Sequence, residues 1–289
     1  MGRGLNPLEA ARPEIVANDG TAPTVRIRAS SWGELFDCAY RWEGKHMLGM
    51  RSPSGLPAHL GTSIHHGTAV FDDARVPGCG LPKVDVFDAV QAFCDVFDNP
   101  PADVVMDGPM TMREARAVGA RLVSEYCQTI SPRYTFVAVE QKFQPMRVAC
   151  DGVVIELTGS MDRGRAAKGA DGIVLADLKS GARVLAGDGT VSIHGRSAQL
   201  GVYSVMWEQQ QRTPVVASQI IALPTTGKHS PAVSRLWDAK TVFLGTDTAP
   251  GLITIAAAMV GSGLFPPNPS SGMCSEKFCP RWSKCIYHE

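Results

Sequence analysis

"LADLKSG", residues 175–181, closes an apolar run with an acid, a base two positions later and a Ser-Gly turn. The approach, "GIVLA" (172–176), is short, apolar and β-branched, which predicts a buried strand over 172–180. Side chains alternate faces along a strand, so Asp177 and Lys179 project from the same side. Chemistry at the carboxyl end of such a strand is common in α/β architectures. A second carboxylate, Asp162, closes the preceding strand-like segment in "LTGSMDR" (157–163). If the two strands pair, Asp162 and Asp177 converge into an all-oxygen site suited to Mg²⁺ or Mn²⁺. Such an ion polarises a phosphoryl oxygen, stabilises a leaving alkoxide and lowers the pKa of water. A lysine beside it orients or deprotonates that water and neutralises charge in the transition state. On its own, Asp-Leu-Lys reads more simply as a surface ion pair at a strand end. Its companions decide the matter.

Working outward, "SSWGELFDCAYRWEGKHML" (30–48) predicts a helix capped by Ser30 or Ser31, with Glu34 completing a capping box. Helices are also expected over 60–74, 84–98 and 111–130, separated by Pro/Gly loops. The pattern then switches to β-branched alternation over 134–148, 153–166 and 172–180, with tight turns at "CDG" (150–152) and "GADG" (169–172). A helix over 194–211, a strand over 215–224 and a helix over 251–263 follow; 230–250 is ambiguous. Residues 1–25 read as an irregular segment and 26–289 as a single domain. The order predicts an α/β fold: a mixed central sheet flanked by helices, with the two chain ends forming an annexe.

Three further patterns accompany the strand. "GTSIH" sets Gly61 one helical turn before His65, leaving room beside the imidazole, which could ligate metal or contact phosphate. "QLGVY" puts Gln199 and Tyr203 on one helix face, as phosphate or base contacts or as a core tyrosine edged by a glutamine. Glu140, in "FVAVEQKF" (136–143), either faces solvent or needs a partner such as the metal or Lys179.

Of eight cysteines, Cys94, Cys127 and Cys150 sit in helix- or strand-like patterns and read as small core residues, while Cys79 lies in a loop. Cys274, Cys279 and Cys285 crowd into "CSEKFCPRWSKC" (274–285), and Cys38 in "LFDCAYRW" (35–42) is the natural fourth thiol. Four thiolates suit a [4Fe–4S] cluster or structural Zn²⁺, with His288 an alternative zinc ligand. The paired C-x-x-C knuckles usual for zinc are absent, which favours the cluster. Either would clip the chain's ends together.

Composition excludes little. The chain has 289 residues, 44% apolar and 19% charged, with a formal net charge of zero. A passive DNA-coating protein is usually basic, but an enzyme that meets phosphates through a metal and a local groove need not be. No apolar run reaches the length of a membrane span, and the first twenty residues lack the apolar centre of a secretory signal; a cytoplasmic protein without membrane partners is expected.

The ordered set resembles the PD-(D/E)XK nuclease superfamily. It looks most like the RecB-type branch, with its CRISPR-associated iron–sulfur exonucleases, AddB nuclease domain and phage RecB-like exonucleases. The motifs run in that order: Cys38, Gly61 to His65, Asp162 in "GSMD", Asp177 and Lys179, Gln199 and Tyr203, then three cysteines. The resemblance implies a restriction-endonuclease-like core with a cysteine-clipped annexe, and a metal-dependent hydrolase of DNA phosphodiesters. Asp162 and Asp177 would bind Mg²⁺ or Mn²⁺, with help from His65 and, as in some members, Glu140. Lys179 would activate water, and Gln199 and Tyr203 would contact DNA or brace the site. Four residues separate Cys274 from Cys279 where iron–sulfur members usually have two, which leaves iron and zinc both open. No Walker-A run is present, so any unwinding would come from a helicase, or from a recombination or CRISPR partner. The expected substrate is single-stranded DNA or DNA ends, with bases stacking on Trp32, Trp42 or Trp282 unless these are core residues. The alternatives are a non-catalytic nucleic-acid-binding or assembly subunit, and a zinc-braced structural module.

Overall fold

The structure is a computed structural model and describes residues 13–16, 24–50, 53–105 and 110–288. In chain order the elements are β1 (Glu14–Val16), β2 (Thr24–Arg28), α1 (Trp32–Asp37), α2 (Ala39–His46), β3 (Ser54–Gly55), α3 (Leu56–Asp73), α4 (Val86–Phe97), β4 (Val104–Val105) and α5 (Met112–Thr129). Five strands follow: β5 (Phe136–Lys142), β6 (Met146–Cys150), β7 (Val153–Thr158), β8 (Ser160–Ala166) and β9 (Ile173–Gly181). The chain continues with α6 (Ser197–Gln211), β10 (Val215–Pro224), β11 (Ala232–Val233), α7 (Ala239–Leu244), β12 (Gly245–Thr246), β13 (Ala249–Pro250) and α8 (Leu252–Ser262).

The central sheet has the order β11-β10-β9-β8-β5, and only β9 and β10 run parallel. It is the mixed sheet the sequence predicts. Ile173 to Leu178 are buried without a break, as a strand covered on both faces requires. One face packs Ala176, Leu178, Ile221 and Leu223 against α3, α4 and α5. The other packs Ile173, Leu175 and Ile220 toward α6, α7 and the Trp32 and Trp42 rings. The α4 and α5 starts carry capping boxes, Asp85 with Asp88 and Thr111 with Glu114.

Several expectations need correction. The runs 134–148 and 153–166 each read as one strand, yet each divides, and the halves enter different sheets. Phe143–Pro145 separate β5 from β6, and Gly159 separates β7 from β8. The second sheet, β1-β6-β7-β2, is therefore an addition to the predicted fold. Its β1 and the first two residues of β2 lie within the stretch read as irregular, whose residues 1–12 and 17–23 are outside the described residues. The helix expected from Ser30 is interrupted at Cys38, whose φ of −149° and ψ of 97° are extended. Ser31 makes no side-chain cap; its hydroxyl donates to the Arg28 carbonyl at 2.8 Å. Helix α3 begins at Leu56, four residues before the expected start, with Pro57 in its first turn. Among the described residues, no helix is long and apolar enough to cross a membrane.

Candidate active site

The site is a product of strand register. Arg163 pairs with Ala176 across the antiparallel β8–β9 ladder, so Asp162 and Asp177 are the next cross-strand neighbours. An Asp162 oxygen accepts the Leu178 backbone N–H at 2.7 Å, which ties the carboxylate to the strand that carries Asp177. On β5, Val139 opposes Arg163 and Gln141 opposes Met161, so Glu140 stands beside Asp162. From α3, His65 Nδ1 lies 3.6 Å from Asp162 Oδ1. Ligand atoms of His65, Glu140 and Asp162 all fall within 4.8 Å of one another, a grouping that could hold a cation. Asp177 is not in that trio, although the charges of Asp162 and His65 act on it.

Asp177 is 1% exposed and held from two sides. Lys179 Nζ lies 2.8 Å from its Oδ2, confirming that the two side chains share a face. That contact is an ion pair without hydrogen-bond alignment, so Oδ2 is a buried oxygen accepting no hydrogen bond. Gln199 Nε2 donates to Asp177 Oδ1 and to Tyr203 Oη, both at 3.2 Å. The glutamine and tyrosine thus brace the carboxylate from α6.

The electrostatics diverge along the pair. Burial pushes Asp177 above the usual carboxylate range, to about 6; Lys179 pulls it down by more than Asp162 adds, but burial prevails. Burial also acts to raise Asp162, but His65, Lys179 and Arg163 outweigh it and hold that carboxyl far below its usual range. Burial works against protonation of His65, yet Asp162 raises its proton affinity overall. Glu140 is raised by burial and by Asp162. Three convergent carboxylates and an imidazole form a donor set that suits a hard cation.

Two details depart from expectation. The missing Cβ of Gly61 faces Ser180 Oγ at 3.0 Å, so the glycine makes room for the residue after Lys179 and not for the imidazole. Trp32 and Trp42 are fully buried and belong to the core, leaving no face for a base. Sequence reasoning missed Arg163 and Asp72, both fully buried behind the site; the adjacent acid and base of "MDR" were the available signal.

Away from the carboxylates in sequence, Cys38, Cys274, Cys279 and Cys285 line one pocket. The break at Cys38 turns its sulfur toward the tail, where it accepts the Asn268 N–H at 3.4 Å. Asn268 also donates to the Asp37 carbonyl at 2.9 Å, and Ser271 Oγ to the Asp37 carboxylate at 2.6 Å. Arg41 lines the same pocket, and its buried Nε makes no hydrogen bond. His288 stacks on Trp282 at 3.9 Å and is not among the lining residues. The four thiols do not gather as tightly as the His65, Glu140 and Asp162 ligand atoms. Cys94, Cys127 and Cys150 are buried in the core as expected.

A mixed sheet with acidic residues on adjacent strands, a lysine two residues after one of them and helices on both faces is the architecture of a metal-dependent phosphodiesterase. A family model described as the PD-(D/E)XK nuclease superfamily matches residues 29–286, and the chain belongs to that superfamily, whose members are generally metal-dependent nucleases. No curated protein matches the sequence. A solved structure titled "Crystal structure of SSO0001" is similar over 87% of this chain and 94% of its own, at 10% identity and a TM-score of 0.36.

Proposed function

We propose that this chain is a metal-dependent DNA exonuclease that acts on single-stranded DNA or DNA ends. The observation that carries the reading is the meeting of Asp162, His65 and Glu140 beside the Asp177–Lys179 pair. Asp162 and Asp177 would hold Mg²⁺ or Mn²⁺, with His65 and Glu140 completing the shell. The ion, when bound, supplies Lewis-acid polarisation of the scissile phosphate and a lower pKa for water. Lys179 orients the attacking water and neutralises the developing charge, and takes the water's proton only once it has released its own. Gln199 keeps Asp177 in place through its amide, and Tyr203 fixes Gln199. The test is digestion of end-labelled single- and double-stranded DNA with Mn²⁺ or Mg²⁺, wild type beside Asp177→Ala and Lys179→Ala. Intact cleavage by Asp177→Ala removes the proposed centre.

The thiol pocket supports a second assignment. Four cysteines lining one cavity, beside a buried arginine with an unpaired Nε, fit an anionic thiolate-bound group. A [4Fe–4S] cluster suits this donor set better than Zn²⁺. The paired C-x-x-C knuckles usual for zinc are absent from the tail, which favours the cluster. Brown colour with iron and acid-labile sulfide in purified protein supports the cluster; zinc without sulfide overturns it. Cys38, Cys274, Cys279 and Cys285 would be the ligands.

A further inference from the structure

Behind the carboxylates lies a buried charge network that the nuclease reading leaves unexplained. Arg163 is fully buried, and its guanidinium reaches four partners. Nε donates to Asp72 Oδ2 at 2.6 Å and Nη2 to Thr68 Oγ1 at 3.1 Å. Nη1 donates to Glu140 Oε1 at 3.0 Å and to the Asp162 carbonyl at 2.8 Å. It therefore holds one candidate ligand by its side chain and another by its backbone. Asp72 is also fully buried, and it is pinned by the Tyr126 hydroxyl on one oxygen and by Ser131 Oγ at 2.6 Å on the other.

Two features make this more than a core ion pair. Glu140 has φ +46°, a left-handed backbone that non-glycine residues adopt only when their surroundings fix them there. A guanidinium one hydrogen bond from a cation site repels the cation unless its charge is balanced on the far side. Asp72 lies on that far side.

We propose that Arg163 is a positioning residue that aims Glu140 at the cation, and that Asp72 neutralises Arg163 so that it can do so without expelling the ion. The inference rests on the reading of Asp162, His65 and Glu140 as a cation site. Removing Asp72 leaves an unbalanced positive charge in contact with Glu140. Removing Arg163 as well takes that charge away.

The test is Mn²⁺ titration of the full-length protein, with free Mn²⁺ read by EPR, and near-UV circular dichroism as the check on folding. Asp162→Asn, Asp72→Asn and the double variant Asp72→Asn/Arg163→Gln are compared with wild type. Asp72→Asn is expected to weaken Mn²⁺ binding by about tenfold or more, as for other residues that hold metal ligands. The double variant is expected to bind more tightly than Asp72→Asn, which a merely structural role does not produce. Wild-type binding lost in Asp162→Asn, together with a folded Asp72→Asn within twofold of wild type, overturns this inference alone. A double variant no better than Asp72→Asn also overturns it. No Mn²⁺ binding by wild type overturns the site itself. If Asp72→Asn does not fold, Arg163→Lys takes its place: it keeps the charge but cannot span Asp72, Thr68 and Glu140, and unchanged Mn²⁺ affinity in that variant overturns the proposal.

Discussion

The carboxylate site and the thiol pocket are built by opposite means. Asp162, Asp177 and Glu140 stand on three adjacent strands, and ladder register sets their spacing before any cation arrives. The four cysteines stand on a helix break and on a tail of turns, held by a few hydrogen bonds such as those of Asn268 and Ser271. On the proposed reading the first site is preorganised, and a cation would complete it. The second gathers the chain's ends only loosely, and on the proposed reading a bound group would supply the order. Loss at the first should therefore remove chemistry and spare the fold; loss at the second should do the reverse.

The largest expected effect tests the first half of that contrast. Asp177→Ala and Lys179→Ala should each slow single-turnover cleavage of end-labelled DNA by about 10²–10⁴-fold, with an unchanged near-UV spectrum. A thermal midpoint that collapses with activity would show that this site, too, is structural. The second half is tested by Cys279→Ser. Opening a clip between residue 38 and the tail releases a very long loop, and the thermal midpoint should fall by roughly 5–10 °C on loss of about 2–3 kcal/mol. An unchanged midpoint would make the thiol pocket idle. Tyr203→Phe is milder: its oxygen accepts a hydrogen bond from Gln199 at 3.2 Å and touches no other site residue, so cleavage should drop less than about tenfold.

The smallest effect is a pH dependence on the thiol side. Burial acts to raise Glu34, but hydrogen bonds from His46 and Lys45 outweigh it and bring the carboxyl from 4.5 down to about 2. A depressed carboxyl favours the folded state above its unfolded pKa, and that stability is lost as pH falls through the folded value. Between pH 4.5 and pH 2 the protein should lose about 1 kcal/mol from this group, discounted for its partial exposure, and Glu34→Gln should lose none there. Equal acid sensitivity in Glu34→Gln would transfer the effect elsewhere.

What the sequence revealed follows the range of the forces involved. Asp177 and Lys179 were legible because alternation along one strand is a local rule, and Asp162 because a Gly-bounded neighbour pairs with it. Gln199 and Tyr203 were legible as a helical i, i+4 pair, though not as a brace for Asp177, which depends on where α6 packs. The passage of the chain between sheets at Phe143–Pro145 and at Gly159 was marked only by Pro145 and Gly159 inside strand-like runs, and only tertiary packing decides which half joins which sheet. The break at Cys38 has no Gly or Pro to announce it; it is drawn open by contacts some 230 residues away. Arg163 stayed hidden because its partners Thr68 and Asp72 come from a helix almost a hundred positions earlier.

Asp162 and Arg163 are consecutive on β8, one turned to His65 and the other to Asp72. A shift of this strand by one place would bring a guanidinium to the mouth where a carboxylate belongs, and attraction for a divalent ion would become repulsion. On the proposed reading the alternating signs tie alignment to metal uptake: a slip of one place would cost both the buried face of β8 and the cation site, so fold and site share one register.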